Sequence, residues 1–339
     1  MIEFKEIYFG GGIIYRKFVL ISLFILPVFF ILSLGIGSSS IDWQILYQGL
    51  FFKQADYQEI VYFFRLPRLL LTILSGISLS VSGFLMQTVA HNRLASPSML
   101  GLVDGALLGV VLAKWFKLNF VMASPIMAIF GSLLTISLVY FLASLVPGGF
   151  VKTKLILIGI MIGNLIGGLA SLLAIRLSFF SDSSLFFLGT VSDASWWDVG
   201  LVAGSLVFCL PFLLYLLPQL EGFHLGDDVL YGLGKPVKEL KLLAFFLATV
   251  LSATAVSVVG KINLVGLIVP NMVYLLREGG MKRQFFLTLL MSVELMVLAD
   301  LLSKIIRYPY ETPVTFVISL IGIPFFFFIL KQQGGRGRV

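Results

Sequence analysis

Ten long apolar runs, parted by short stretches rich in charge, proline or glycine, leave this chain of 339 residues few ways to fold. They cover residues 18–36, 67–88, 97–113, 121–146, 155–174, 197–217, 240–259, 264–276, 285–305 and 313–330. A helix rises about 1.5 Å per residue and needs about twenty mostly apolar residues to cross a hydrocarbon layer, so most of the runs can span one. Residues are 59% hydrophobic and only 12% charged, a balance that a water-soluble domain does not carry. The expected fold is an all-α integral membrane protein of about ten transmembrane helices. The eighth run is short and contains Pro270, so it is expected to be bent or partly interfacial, its freed backbone groups satisfied by neighbouring helices.

An even number of spans puts both termini on one side. The loops and tails on that side hold about fifteen Lys and Arg against about nine on the other, which places both termini in the cytoplasm. On this reading residues 1–17 are a cytoplasmic N-terminal segment, 18–330 a single transmembrane domain and 331–339 a cytoplasmic tail. The first helix is expected to be retained, since no small-residue cleavage site follows it. The net charge of +7 does not indicate a nucleic-acid binder, because the basic residues are scattered between apolar runs. Cys209, the one cysteine, lies inside an apolar run and excludes a disulfide framework or thiolate metal cluster.

Two polar stretches are too long for simple turns. Residues 38–66, on the outside, carry Asp42, Trp43, Lys53, Asp56 and Glu59. Residues 218–240, on the inside, read as a short amphipathic helix with Gly234 as its C-terminal cap and Pro236 opening the next helix. Such a helix between two spans is either a docking handle or a connector lying on the headgroups.

Small residues recur at every fourth position: Gly76 and Ser80; Gly101, Gly105 and Gly109; Gly159, Gly163 and Gly167. That spacing makes a flat strip on which helices approach closely in lipid. For the third strip a path-lining role stands beside packing, because Asn164 lies within it. Ionisable residues inside the runs are few: Asp104, Glu294 and Asp300, with Arg176 near an end. An ion-coupled secondary carrier usually places several at mid-membrane, so their scarcity points to an external energy source. Glu294 and Asp300, six apart, are read as interhelical hydrogen-bonding residues. The two histidines, His91 and His224, have no metal-ligand spacing, and Gly232 to Pro236 lacks the spacing and hydroxyl of a phosphate-binding loop. No catalytic residue and no metal site is expected, which leaves an intramembrane enzyme without its machinery.

Several segments resemble the FecCD family of ABC importer permeases, which serve iron-siderophore, haem and cobalamin uptake. Arg65-Leu-Pro-Arg68 with LLLTILSGISLSVSGFLMQ is similar to the family's RLPR helix start, and HNRLASPSMLGLVDGALLG to its NPLADPxxLGxxSGAxxG. LGTVSDASWWDV resembles LGSLxxASWxDV, HLGDDVLYGLG resembles LGEExAxSLG, and VVGKINLVGLIVPN resembles VAGPIGFVGLVVPH. LADLLSK, Glu311-Thr-Pro313-Val314 and IGIPFFFFIL complete a colinear set from Arg65 to Leu330.

The resemblance implies a ten-helix subunit that pairs with a second copy or a paralogue around a translocation path. Two ABC ATPase subunits would bind below and an extracytoplasmic substrate-binding protein would dock above. Arg65, Arg68 and Lys304 would meet acidic residues of the binding protein; without the resemblance the two arginines read as interfacial anchors. Leu225, Gly226, Asp227, Asp228, Gly232 and Gly234 would form the helix that couples to the ATPase, the two aspartates capping it and favouring its dipole. Gly159, Gly163, Asn164 and Gly167 would lie on the path. No cofactor is expected on this chain; ATP and magnesium would serve the partner ATPase. The implied cargo is an iron(III)-siderophore, with haem or cobalamin as alternatives. Five residues depart from the family pattern: Arg93 for proline, Asp104 for a serine-like residue, Lys261 for proline, Asn271 for histidine, and Lys304 for arginine, which gives up bidentate carboxylate pairing.

Overall fold

The computed structural model describes residues 2–36, 59–118, 120–145, 152–177, 184–276, 279–308 and 310–334. Among these the structure is helical, with no strand. Helix α1 (Ile2–Gly35) is followed by a π-helical turn, Ile60–Arg65, which runs directly into α2 (Leu66–Val89). Then come α3 (Leu102–Trp115), α4 (Ala123–Leu145), α5 (Lys152–Arg176), the short α6 (Ser184–Leu188) and α7 (Trp196–Leu220). A 3-10 turn, Glu221–Leu225, leads into α8 (Asp227–Gly232), followed by α9 (Val237–Val259), α10 (Val265–Leu275), α11 (Met281–Ile305) and α12 (Val314–Gly334).

Seven helices are long and apolar enough to cross a membrane, and two shorter apolar ones are Val265–Leu275 and Val314–Phe325. With α3 they account for all ten apolar runs. Helix α1 continues to Ile2 without a break where the cytoplasmic segment was expected to end. Helix α3 starts at Leu102 and not at Pro97, because the chain turns at Gly101 with φ +78° before the helix begins. Most of the outer polar stretch, residues 38–58 with Asp42, Trp43, Lys53 and Asp56, lies outside the described residues. Helix α7 starts where the sequence supplies a capping box: Ser195 Oγ accepts from the Asp198 amide at 3.3 Å, and Asp198 Oδ2 accepts from the Ser195 amide at 3.0 Å.

Helix α2 is the centre of the bundle, buried along its length and packed against α7, α9, α10 and α11. Small and hydroxyl residues, Thr72, Ser75, Gly76, Ser78, Ser80, Ser82 and Gly83, recur among its buried positions and let backbones touch where lipid gives no hydrophobic drive for association. A methyl group added to Gly83 would lie 1.8 Å from the Gly266 carbonyl oxygen of α10. Ser82 Oγ donates to the Ala248 carbonyl of α9 at 2.7 Å. Pro270, inside α10, has no N–H for the Gly266 carbonyl four residues back. Gln87 Nε2 of α2 donates to that oxygen at 3.3 Å, so a neighbouring helix makes good the missing bond. The Gly105 and Gly109 strip of α3 packs against α4, where added methyls would meet the Gly131 and Met127 carbonyls.

Candidate transport site

Polar side chains concentrate at three levels of the bundle. At the end where α2 begins, its first turn supplies Arg68, the last turns of α11 supply Asp300 and Lys304, and the α11–α12 loop supplies Glu311. Arg68 Nε and Nη2 donate to Asp300 Oδ1 at 2.9 and 2.8 Å, while Nη1 donates to Glu311 Oε1 at 2.6 Å. Lys304 Nζ lies 2.6 Å from Asp300 Oδ2, one helical turn along. Ser192 Oγ donates to the second oxygen of Glu311 at 2.5 Å. Asp300 is fully buried, so one carboxylate holds two cations in place without help from water. Arg65 Nη1 donates to the Gly35 carbonyl at 3.0 Å and to that of Leu34, closing the end of α1 onto α2. The three cations expected to meet a binding protein thus share one end of the bundle, each with partners inside the chain. Burial alone would raise the Glu311 carboxyl; hydrogen bonding and charge from Arg68 outweigh it and hold it below the usual carboxylate range.

The second level lies half-way along α5. Lys261, in the break between α9 and α10, sits 2.5 Å from Asp104 Oδ1 of α3. The Asp104 carboxylate rests on the glycine strip of α5: an added methyl would lie 3.1 Å from it at Gly163 and 2.7 Å at Gly167. Gly159 packs on the Met99 carbonyl in the same way. The break that presents Lys261 depends on Gly260, whose φ is +70° and whose missing side chain admits the Phe186 carbonyl; an added methyl would lie 1.9 Å from that oxygen. Asn164 stands about 100° round the helix from Gly163 and is exposed, beside Met161 and Leu165. The four residues read as path-lining therefore divide: the glycines turn to α3 and Asn164 to the open face.

The third level is the opposite end, around α8. The α8 helix ends in a Schellman motif: the Gly234 amide donates to the Tyr231 carbonyl and the Lys235 amide to that of Leu230, both at 3.0 Å, with Gly234 at φ +70°. Gly226 is the N-terminal cap residue, and no side chain caps the helix. The expected capping by Asp227 and Asp228 is replaced by first-turn charge: both lie where the helix dipole favours an anion. Asp227 instead accepts from Lys241 Nζ, and its Oδ1 lies 3.0 Å from His91 Nε2. The buried Phe223 ring lies 5.8 Å from the His91 ring, so α8 is tied to the α2–α3 loop as well as to α9. Leu225, Val229 and Leu233 stay exposed on the outer side of this segment.

Burial pushes the Asp227 carboxyl up, but its bonds from Lys241 and His91 prevail and hold it below the usual range. A carboxyl depressed in the folded state stabilises it above the ordinary aspartate pKa of about 3.9, and that contribution is lost as pH falls through the lowered value. Comparing Asp227→Asn with the parent chain in thermal unfolding at a series of pH values should show a stability difference that shrinks below about pH 4. A difference that grows in acid would contradict the arrangement.

The sequence profile of the FecCD transport family matches residues 25–332. This chain belongs to the FecCD transport family. The permease is 31% identical over 329 residues to FeuB, the iron-uptake system permease protein of Bacillus subtilis (strain 168), covering 95% of this chain and 97% of that protein. FecC, the Fe(3+) dicitrate transport system permease protein of Escherichia coli (strain K12), is 31% identical over 290 residues, 82% of this chain and 84% of its own length. A solved inward-facing structure assigned to the metal-chelate type of ABC transporter superposes with a TM-score of 0.77 at 26% identity, covering 94% of this chain and 99% of that one. The protein is therefore a multi-pass membrane permease of the ABC import type.

Set in the FecCD pattern, the structure pairs its departures. Asp104 and Lys261 form the mid-level ion pair. Asn271 Nδ2 donates to the Arg93 carbonyl at 2.9 Å, and the Arg93 guanidinium lies 3.2 Å over the Tyr274 ring. Glu311 and Ser192 were present only as letters within matching segments; nothing in the sequence showed that Ser192 meets Glu311 and that Glu311 meets Arg68. Asp300 does link helices, joining α11 to α2, and Glu294 on α11 lies beside Ser22 of α1, its Oε1 buried.

Proposed function

We propose that this permease carries an iron(III)-siderophore or a similar chelated-metal compound across the cell membrane, driven by ATP that separate ATPase chains hydrolyse with magnesium. The reading rests on the match, over nearly the whole chain, to permeases named for iron uptake and Fe(3+) dicitrate transport. Two copies, or this chain and a paralogue, enclose the path, and the exposed face of α5 around Asn164 supports its placement there. The α8 end faces the cytoplasm and receives the ATPase. Its exposed Leu225, Val229 and Leu233 are an apolar surface suited to a protein cleft, and the tie from Asp227 to His91 and Lys241 carries motion from it into α2 and α9. No cofactor sits on the permease itself.

The opposite end receives the binding protein. Arg68 is already engaged, so an incoming acidic residue competes with Glu311, whose side chain is 20% exposed, and not with the buried Asp300. Glu311→Gln should remove that competitor while keeping the Asp300 pair, and is expected to tighten docking about two- to fivefold in a binding assay with the purified complex. Unchanged or weaker docking would place the binding protein elsewhere. Uptake of ferric siderophores, haem and cobalamin in iron-limited cells with and without this gene tests the cargo. Loss of a ferric-chelate signal is expected; uptake abolished by collapsing the proton gradient while ATP is maintained would indicate an ion-coupled carrier.

A further inference from the structure

A cleft of about 790 Å³ opens between α4 and α9 on an exposed apolar side of the bundle, at the α8 end. It stands apart from the three polar levels except at Lys241. On α9 its wall is formed at helical spacing by Lys238, Lys241, Phe245 and Thr249, and on the antiparallel α4 by Leu133, Ile136 and Tyr140. The gradient along the cleft is steep. Its lysines stand in the first turns of α9, beside Tyr231 of α8, and further along α9 the lining is Leu, Phe and Thr. Tyr140 and Phe245 meet edge to face at 5.4 Å and floor the apolar part.

A cation at headgroup level with an apolar slot beneath it is the complement of a phospholipid, whose phosphate and acyl chain follow the same order along the bilayer normal. We propose that this cleft holds one phospholipid of the leaflet on the α8 side, its phosphate on Lys238 and an acyl chain between α4 and α9. Lys238 is exposed, whereas Lys241 is committed to Asp227, so the first lysine is the anchor and the second holds α8 against the site. Glu239, also on the rim, adds one negative charge and suits a headgroup that carries an ammonium beside its phosphate. A free phosphate would leave the apolar slot empty. The inference rests on membrane residence alone and is independent of the cargo.

The test is native mass spectrometry of the full chain released from nanodiscs of phosphatidylethanolamine and phosphatidylglycerol. The parent protein should retain one phospholipid after the annular lipids are stripped. Lys238→Gln should lower that occupancy about fivefold, from the loss of one lysine near the surface, and Leu133→Trp, which fills the slot, should abolish it. Lys282→Gln, an exposed lysine away from the cleft, serves as the control and should change nothing. Equal retention by all four proteins would overturn the proposal, as would no retained lipid in the parent. Cross-links that place a second copy of the chain over Tyr140 and Phe246 would also overturn it, assigning the cleft to an interface.

Discussion

Replacing Asp300 by alanine is expected to destabilise this permease by roughly 3–5 kcal/mol, enough to lose most of the folded protein on extraction into detergent. The size follows from what is left behind. Arg68 and Lys304 lie side by side, both largely buried, and each has Asp300 as a principal counter-charge. Without that carboxylate, two like charges remain in a largely buried site, and Glu311 hydrogen-bonds Arg68 while reaching Lys304 only through its charge. The complementary substitution should be milder: Asp300→Ala combined with Lys304→Met removes one cation together with the anion and leaves Arg68 to Glu311. Thermal unfolding in detergent should therefore order the three proteins as parent, double variant, single variant. A single variant as stable as the parent would show that the network carries little folding energy.

The second large effect is expected at the mid-level pair. Lys261→Met should leave a buried carboxylate on the α5 glycine strip with no counter-charge, at a cost of roughly 3–5 kcal/mol before the group takes up a proton. Asp104→Ser alone strands the ammonium, but Lys261 is 29% exposed at its side chain and can turn toward water, so that loss is smaller. The double variant, Asp104→Ser with Lys261→Met, removes both charges and should recover most of the stability. A double-mutant cycle then yields a coupling of roughly 3 kcal/mol or more, because the double variant costs much less than Lys261→Met alone. Additive losses would mean that the two residues act separately in spite of their contact.

The fold was legible in the sequence because a helix that crosses lipid is announced by its own composition. Each of the ten runs became an apolar helix, and the cap expected at Gly234 marks the end of α8 from local chemistry. Pro97 was a poor guide to the start of α3: proline permits a helix start, but the left-handed turn at Gly101 decides where the helix begins. Charge pairing was not legible, since Arg68 and Asp300 are 232 residues apart, and Lys261 and Asp104 are 157 apart. Asp104 and Lys261 each stood out as departures; only the fold shows that one compensates the other. The glycine strip and Asn164 were grouped by position, although the helical period alone turns Asn164 about 100° away from Gly163.

The central claim, ATP-driven passage of a ferric chelate through this chain, is tested most directly by reconstitution. The permease is placed in proteoliposomes with its ATPase and binding protein, ATP is enclosed on the ATPase side, and radiolabelled ferric chelate is supplied with the binding protein. Accumulation that needs ATP, the binding protein and an intact α8 segment is the predicted result. ATP hydrolysis with no accumulation of any ferric chelate, or accumulation that follows an ion gradient without ATP, would contradict it.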